Sequence, residues 1–477
     1  MIQLFELKEY KEKELKKIFD VSDSKWEEIA IELIRKNIIS YKEKSIQFKY
    51  VGIIIVCKFT IFILPKYLMF EKKDNYDIEI KSLLNLFNNF SRPEKLNREI
   101  IEDVDLYSEG IENKLISIIL LLVEDYLQHD IYYNELANVE RDGAGEINWD
   151  KTIDEVMPHH IKGNIFYSEL ITNCVSTDYY HIISKIHRMV IKECIDFINN
   201  TGLKYIINSE IELDEKLIDY SLEMESLKYE IEKEIRIQYN DRKKKVLYLI
   251  LAYLEEKAST SGEKVLLYGT RNFKWVWEEM CSQIFENQFI STPELNKYKK
   301  FNISPPTWSI YGYNQAAELI EENTEISMKK NRLTPDIIRV IEFDDKKYIL
   351  ILDAKYYNIR AIEDRNNDLK IIENPGIGDI TKQYCYHMAL SSYMIKNNIT
   401  NVINAFLFPT VSKTEVIGNV KLNFMDNMQN SDDKDEQNKI DLIKLNVLEV
   451  IHMYCNNECY SGDDLKLLFL RGEETNE

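Results

Sequence analysis

The fold is decided by two apolar stretches of this chain, TPDIIRVIEF at residues 334–343 and YILILDAKYY at residues 348–357. The four polar residues between them, DDKK, favour a turn, so the whole segment predicts an antiparallel β-hairpin. If all four residues form the loop, Phe343 pairs with Tyr348. Both strands are rich in Ile, Val, Leu and Phe, and we therefore expect the hairpin to be central in a sheet and buried.

Three charged residues come together at the open end of this hairpin. In the same register Asp336 lies opposite Lys355, and Asp353 lies opposite Ile338. Because side chains alternate along a strand, Asp336, Asp353 and Lys355 share one face. Burying two acids and a lysine costs free energy unless a partner binds them, so this end of the hairpin is a candidate site.

The chemistry of these side chains favours a hard divalent cation. Carboxylates suit Mg²⁺, so we expect Asp336 and Asp353 to hold this cofactor, with the carbonyl of Ala354 as a further ligand. A neighbouring lysine can orient or deprotonate a water molecule, or stabilise charge on phosphorus. The pattern predicts phosphodiester hydrolysis, with Lys355 positioning the attacking water. The alternative is a solvated strand end with an ordinary Asp–Lys pair.

The composition of the chain limits the classes of protein to which it can belong. The 477 residues exceed what one hydrophobic core organises, so we expect two or three domains. The net charge of −20 argues against extensive DNA binding by this chain alone, but it allows a local basic channel. Seven scattered cysteines without a Cys-x-x-Cys pair favour a reducing compartment. The longest apolar run, residues 116–123, is too short to span a bilayer, and we expect a cytoplasmic protein without membrane contact.

The order of predicted elements indicates an α/β (α+β) chain with three consecutive domains. Residues 1–135 mix β-hairpins and helices, and we expect them to form an α+β domain that binds a partner. Residues 136–260 are predicted to be mainly helical. Residues 261–477 follow the order helix, hairpin, helix, strand, which predicts a mixed sheet flanked by helices that carries the nuclease site. The acidic segment at residues 427–438 is predicted to be a disordered insertion.

Basic residues near the hairpin are candidates for DNA contact. Residues 375–384 open a helix in which Asp379 is a plausible cap. Lys382 lies in the first turn, where the helix dipole disfavours a cation, and this suggests contact with the scissile phosphate. Lys330 and Arg332 belong to a short basic run before the hairpin. The alternative for all three is a solvent-facing side chain.

Several strings together resemble the LlaJI family of restriction endonucleases, within the PD-(D/E)xK nuclease superfamily. They occur in one order along the chain: RDGAGEINW at 141–149, VWE at 276–278, TPD at 334–336, DAKYY at 353–357 and GDITKQY at 378–384. In addition, YVGI at 50–53 with ILPK at 63–66 is similar to the N-terminal region of McrC-type restriction subunits, to which that family is related.

The resemblance implies a restriction-endonuclease-like mixed sheet and a bacterial restriction subunit that cleaves double-stranded DNA. It implies that Glu278, on a helix before the hairpin, completes the acidic cluster, and that Gln383 or Lys382 supports the phosphate or the water. It also implies a partner, a McrB-like AAA+ GTPase. This chain has no phosphate-binding Gly-x-x-x-x-Gly-Lys-Ser/Thr loop of its own. Because one active site cuts one strand, cleavage of both strands requires self-association on DNA.

Two other functions stay open. The chain could act chiefly as an activator of the AAA+ partner, with nuclease activity secondary or lost. It could instead be a repair or recombination nuclease with the same core, which would act on branched or damaged DNA.

Overall fold

The chain folds into two compact units. The computed structural model describes residues 2–42, 45–57, 59–71, 73, 75–90, 114–178, 181–201, 203, 224–259, 265–289, 301, 333–363, 369–422 and 439–470. Unit 1 combines Met1–Glu112 with Leu267–Glu477, and unit 2 is Asn113–Leu266. The predicted insertion at 427–438 lies outside the described residues.

The described residues form mixed sheets and helices, which confirms the predicted α/β (α+β) class. The strands are β1 (Ile2–Phe5), β2 (Tyr10–Lys11), β3 (Ile39–Lys42), β4 (Ser45–Phe48), β5 (Val51–Val56), β6 (Phe59–Leu64), β7 (Asn134–Arg141), β8 (His159–Ile161), β9 (Asn164–Phe166), β10 (Ile171–Asp178), β11 (Val265–Thr270), β12 (Ile337–Phe343), β13 (Lys346–Ala354), β14 (Arg360–Glu363), β15 (Leu369–Ile372), β16 (Asn401–Thr410), β17 (Glu415–Val420) and β18 (Ile440–Asn446). The helices are α1 (Glu12–Phe19), α2 (Asp23–Arg35), α3 (Asp77–Phe90), α4 (Lys114–His129), α5 (Trp149–Glu155), α6 (Ile182–Thr201), α7 (Met224–Ile237), α8 (Asp241–Ser259), α9 (Phe273–Ile284), α10 (Ile377–Lys396), α11 (Val447–Asn456) and α12 (Gly462–Phe469). None of these described helices has the length and apolar character needed to cross a membrane.

One sheet of unit 1 joins the N-terminal segment to the segment that follows unit 2. Its order is β1-β6-β5-β11, with β1 parallel and β5 antiparallel to β6. Gly52 of β5 and Gly269 of β11 have φ of +132° and +152°, and a Cβ on Gly52 would lie 2.2 Å from the carbonyl oxygen of Tyr268. Only glycine permits this backbone approach. The sequence predicts three consecutive domains, whereas this pairing groups residues 1–112 with the C-terminal part of the chain.

The second large sheet of unit 1 is the mixed sheet that the hairpin predicts. Its order is β12-β13-β16-β18-β17, and β13 is antiparallel to β12 but parallel to β16. Ile349 and Ile351 of β13 pack in a hydrophobic cluster with side chains of α10. Because side chains alternate along a strand, Asp353 continues this face beyond the apolar cluster.

The turn of the β12–β13 hairpin is shorter than predicted. Phe343 pairs with Lys346 rather than with Tyr348, which leaves Asp344 and Asp345 as the turn residues. Both have positive φ, 46° and 62°. Two-residue turns of this kind match the twist of the flanking strands, and Asp tolerates the left-handed conformation that they need.

This register corrects two predicted pairings. Ile338 pairs with Ile351, not with Asp353. The same register brings Asp336 opposite Asp353 rather than opposite Lys355. The shift is two residues, and a shift by an even number leaves every side chain on its predicted face. Asp336, Asp353 and Lys355 therefore stay on one side of the hairpin.

The strand predicted at residues 402–408 is longer than expected, because β16 runs through Pro409, which pairs with Leu445 of β18. Pairing of β16 with β13 ends at Leu407. Beyond that residue, β18 is the only described strand that pairs with β16, so the missing N–H of the proline falls on an edge without a partner among the described strands.

Unit 2 packs helices α4, α6, α7 and α8 together and also contains an antiparallel strand pair. Strands β7 and β10 pair over their full lengths, from Asn134 with Asp178 to Arg141 with Ile171. The prediction of a mainly helical region at 136–260 did not include them. Both strands carry polar residues on both faces, so they lack the alternation by which a half-buried strand is identified.

Candidate active site

The candidate site lies where the ends of β12, β13 and α10 meet. Asp336 immediately precedes β12. Asp353 is the penultimate residue of β13, and Lys355 is the first residue after that strand. The N–H of Lys355 donates to the carbonyl of Leu407 at 2.9 Å, so the β13–β16 ladder extends to the lysine. The structure thus brings together the three residues that the hairpin pattern predicts.

Two hydrogen-bonding residues fix Asp336. The backbone N–H of Ala354 donates to Asp336 Oδ2 at 2.9 Å. The side chain of Asn287 donates to the Asp336 carbonyl at 2.8 Å and accepts from the N–H of Ile338 at 3.0 Å. Asn287 thus supplies hydrogen-bond partners to backbone groups of Asp336 and Ile338 at the start of β12. No sequence pattern identified Asn287, because its partners are backbone groups distant in the chain.

The surroundings of Asp336 disfavour the charged form of its carboxyl group. Burial raises the pKa of its carboxyl, the nearby charge of Asp353 raises it further, and that of Glu278 adds to both. The hydrogen bond from Ala354 opposes these effects. A bound cation would stabilise the charged form of both carboxyl groups, Asp336 and Asp353.

Lys355 is held between two carboxylates. Its Nζ lies 2.6 Å from Asp353 Oδ2 and 3.1 Å from Asp379 Oδ1, and its side chain is 12% exposed. Burial opposes the charge on the lysine, but the Asp353 carboxylate and the hydrogen bonds outweigh it, and the pKa of Lys355 is raised. Lys355 is therefore an ammonium group, which donates hydrogen bonds and does not accept a proton.

Asp379 has a different position from the predicted cap. The N-cap of α10 is Gly376, and Asp379 stands within the first turn of the helix. From there its carboxylate forms an ion pair with Lys355. The sequence did not suggest this pairing, because it depends on how α10 packs on β13; the only signal was an acid in the first turn of a helix that follows the hairpin.

Glu278 approaches the acids from α9. The preceding residue, Trp277, is fully buried, and its Nε1 donates to the carbonyl of Leu407 at 3.3 Å. This contact fixes α9 beside the end of β16. Glu278 itself forms an ion pair with Lys274 at 3.2 Å and affects Asp336 through its charge.

The other predicted site residues have separate surroundings. Gln383 is fully buried, and its Nε2 donates to the carbonyl of Ala405 at 3.2 Å, while its Oε1 has no hydrogen-bond partner within the described part of the chain. Lys382 is exposed on α10. Lys330 and Arg332 lie outside the described residues.

The donor set fits a hard cation that needs few protein ligands. Asp336, Asp353 and the carbonyl of Ala354 supply oxygen atoms, which Mg²⁺ prefers, and Mg²⁺ commonly takes only one or two carboxylates and keeps several waters. Over the described ranges, no three His, Cys, Asp or Glu side chains are grouped as a metal cluster. Burial of Asp336 raises its pKa, and the charges of Asp353 and Glu278 raise it further, so a cation held by these oxygen atoms would offset the cost of the buried charge.

Comparison with known proteins extends this picture. The model of the family described as LlaJI restriction endonuclease matches residues 50–451. The Type II restriction enzyme BsuMI component YdjA of Bacillus subtilis (strain 168) is 32% identical over 452 residues, which cover 91% of this chain and 86% of that protein. A solved half-complex from the tetradecameric assembly of Thermococcus gammatolerans McrB AAA+ hexamers with bound McrC aligns at a TM-score of 0.34 and 13% identity, over 96% of this chain and 99% of that chain. The extent of the family match confirms the resemblance carried by the sequence motifs: the chain belongs to the LlaJI restriction endonuclease family.

Proposed function

We propose that the chain is the nuclease subunit of a bacterial restriction system and hydrolyses phosphodiester bonds of double-stranded DNA with Mg²⁺. The observation that carries this proposal is the arrangement of Asp336 opposite Asp353, with Lys355 paired to Asp353, at the end of a buried hairpin. Membership of a restriction endonuclease family supports the same conclusion.

Each residue of the arrangement has a role that follows from its chemistry. Asp336, Asp353 and the carbonyl of Ala354 would hold Mg²⁺. When bound, Mg²⁺ supplies Lewis acidity toward a phosphate oxygen and makes water a better nucleophile. Lys355, as an ammonium, donates a hydrogen bond that orients the attacking water or stabilises charge on the phosphoryl oxygens.

The remaining predicted residues surround this core. Glu278 adds negative charge beside Asp336 and so favours the cation. Lys382 is exposed near the start of α10 and is available for the DNA backbone. Gln383 is proposed to support the phosphate or the water from its buried position, and Lys330 and Arg332 are proposed to contact DNA.

We also propose that the chain works with a McrB-like AAA+ GTPase. The net charge of −20 supports a division of labour in which the partner supplies most of the affinity for DNA. Six large apolar side chains close together in the sequence of unit 2 are exposed, and contiguous exposed apolar surface marks protein contacts: Trp149, Ile153, Met157, Ile161, Ile165 and Phe166. The same exposed side chains favour a second function, activation of the GTPase partner. Cleavage of both DNA strands would require two copies of the nuclease on DNA.

The test is cleavage of plasmid DNA by the purified chain with Mg²⁺, with and without a McrB-like GTPase from the same gene cluster and GTP. Asp353→Asn and Lys355→Met remove the charges of the site with little change in side-chain volume. Asp345→Asn, at the exposed turn of the same hairpin, is the matched control.

Cleavage that is lost in both site variants and retained in the control is the expected result. Cleavage by Asp353→Asn at the wild-type rate would refute the assignment of the site. Stimulation of GTP hydrolysis by a chain that cuts no DNA in any mixture would instead favour the activator function.

A further inference from the structure

A buried carboxylate of the N-terminal segment reaches the residue that follows Lys355. Glu6 and Tyr356 are 7% and 5% exposed, and the hydroxyl of Tyr356 donates to Glu6 Oε2 at 2.6 Å. The backbone N–H of Lys66 lies 3.3 Å from the same carboxylate oxygen and 3.2 Å from the tyrosine hydroxyl. The three groups close a small polar network inside unit 1.

Glu6 is held in place by backbone contacts on both sides. It follows β1, and its N–H donates to the carbonyl of Leu64, at the end of β6, at 2.8 Å. It also forms a parallel bridge with Phe48 of β4. The position of this carboxylate is therefore set by the two N-terminal sheets, not by the nuclease sheet.

Tyr356 is equally constrained. Its ring contacts those of Tyr67 and Phe273, with centroids 6.3 Å and 5.3 Å away, and the ammonium of Lys66 lies 4.7 Å from its centroid. Removing a polar hydroxyl and a carboxylate from water costs free energy. Burial accordingly raises the pKa of Glu6. The pair accepts the N–H of Lys66 and holds the tyrosine hydroxyl at one place, so its structural effect is the geometry that it imposes.

That geometry bears on Lys355, because Lys355 and Tyr356 are consecutive residues beyond the end of β13. The lysine side chain contacts Asp353 and Asp379, whereas the tyrosine side chain contacts Glu6 and the aromatic cluster. The N–H of Lys355 is bonded to Leu407 and its carbonyl accepts from the N–H of Tyr357. The Tyr356 side chain is the anchor that ties the chain at the lysine to the N-terminal segment.

We propose that Glu6 and Tyr356 are a positioning pair, through which the N-terminal sheets set the orientation of the Lys355 ammonium. A disturbance at β1 or β6 would reach the nuclease site through this pair. The inference rests on the proposed function in one respect, the role of Lys355 in DNA cleavage.

The test compares Tyr356→Phe and Glu6→Gln with Tyr76→Phe in the full chain. Tyr76 is the matched control, because this tyrosine is also buried but its hydroxyl donates to the carbonyl of Glu71 and not to Glu6. The first readout is kcat and KM of plasmid cleavage, in the mixture in which the wild type cuts. Because the pair acts on a group that reacts and not on DNA affinity, Tyr356→Phe is expected to lower kcat about tenfold with KM within about twofold. Glu6→Gln keeps an acceptor for the hydroxyl and is expected to lose less.

The second readout needs no DNA cleavage. The acylation rate of Lys355 is measured by mass spectrometry against that of Lys16, which also lies between two carboxylates, Glu12 and Asp23, in unit 1. Tyr356→Phe is expected to raise the Lys355 rate about tenfold at an unchanged Lys16 rate. An unchanged Lys355 rate, or an equal rise at both lysines, would overturn the proposal, whether or not the wild type cuts DNA. A wild type that cuts no DNA, combined with a selective rise at Lys355, would sustain the positioning pair and count against the nuclease function alone.

Discussion

Lys355 Nζ lies 3.1 Å from Asp379 Oδ1, so a lysine of the sheet is tied to the first turn of α10. The second carboxylate of the lysine, Asp353, is a proposed metal ligand. Asp379 is thus the partner that can hold the ammonium in place while Asp353 serves a cation.

Asp379→Asn is expected to lower kcat of DNA cleavage by about tenfold, because a charge-assisted hydrogen bond to Lys355 is replaced by a neutral one. The measurement is kcat against KM in the complete mixture. Asp463→Asn, which changes an exposed acid in the first turn of α12, is the control and should cleave as the wild type does. If the two variants cleave equally fast, Asp379 has no part in positioning the lysine.

Asp336→Asn is expected to abolish cleavage and, without metal, to stabilise unit 1 at neutral pH. The folded-state pKa of Asp336 is raised, so the acid contributes stability below its unfolded value of 3.8 and loses that contribution as pH rises. Asparagine can still accept the Ala354 N–H but carries no charge, and a gain of about 2 kcal/mol is a reasonable magnitude.

The measurement for Asp336 is thermal unfolding in EDTA at pH 7 and at pH 4. The gain in Tm should be present at pH 7 and largely absent at pH 4. Adding Mg²⁺ should raise the Tm of the wild type and leave that of Asp336→Asn unchanged. A variant less stable than the wild type at pH 7 would contradict the expectation.

Gly269→Ala is expected to destabilise unit 1 by about 3 kcal/mol, since alanine disfavours a φ of +152° and its Cβ would lie 2.1 Å from the carbonyl oxygen of Val51. Urea unfolding measures the change. Gly462→Ala is the control, because open space surrounds that position at the start of α12, and its effect should stay within about 0.5 kcal/mol. Equal stability of the two variants would show that β5 and β11 do not approach as described.

His187 should make unit 2 sensitive to acid. The ring is fully buried, its Nδ1 accepts from the N–H of Tyr132 at 2.9 Å, and burial lowers the pKa of His187 from 6.5 to about 4. The neutral ring contributes stability above pH 6.5, and about 3 kcal/mol of it is expected to be lost as pH falls toward 4, where only the unfolded chain binds the proton.

The check on His187 is the pH dependence of chemical unfolding of unit 2. His187→Asn keeps an acceptor for the N–H of Tyr132 but does not titrate in this range. Its unfolding free energy should vary less between pH 6.5 and 4 than that of the wild type. Identical slopes would place the acid sensitivity elsewhere.

Local pattern was sufficient to predict the hairpin and the face that carries Asp336, Asp353 and Lys355, because both depend only on alternation along a strand. The register was wrong by two residues, since polar composition alone does not distinguish a four-residue loop from a two-residue turn with Asp344 and Asp345 at positive φ. The predicted face was nevertheless correct, because a register shift of two residues leaves each side chain on the same side of the sheet.

The contacts missed by sequence reasoning depend on packing between distant elements. Asp379 meets Lys355 through the position of α10, and Asn287 meets Asp336 through the end of α9. Strands β7 and β10 were not predicted for another reason. The sequence of neither strand alternates between apolar and polar residues, so neither shows the period of a half-buried strand.

The pairing of β5 with β11 has a consequence for biosynthesis. A ribosome completes β6 at Leu64 but makes β11 only about 200 residues later, which at ordinary elongation rates is a delay of about 10 to 40 s. During that interval β5 exposes an unpaired edge while the whole of unit 2 emerges and can fold. We expect nascent chains stalled before Val265 to be cut readily by protease within residues 51–64 and to become resistant once Thr270 has left the exit tunnel. The chain therefore cannot complete its first sheet, or the support that this segment gives to Lys355, until the inserted unit has been synthesised.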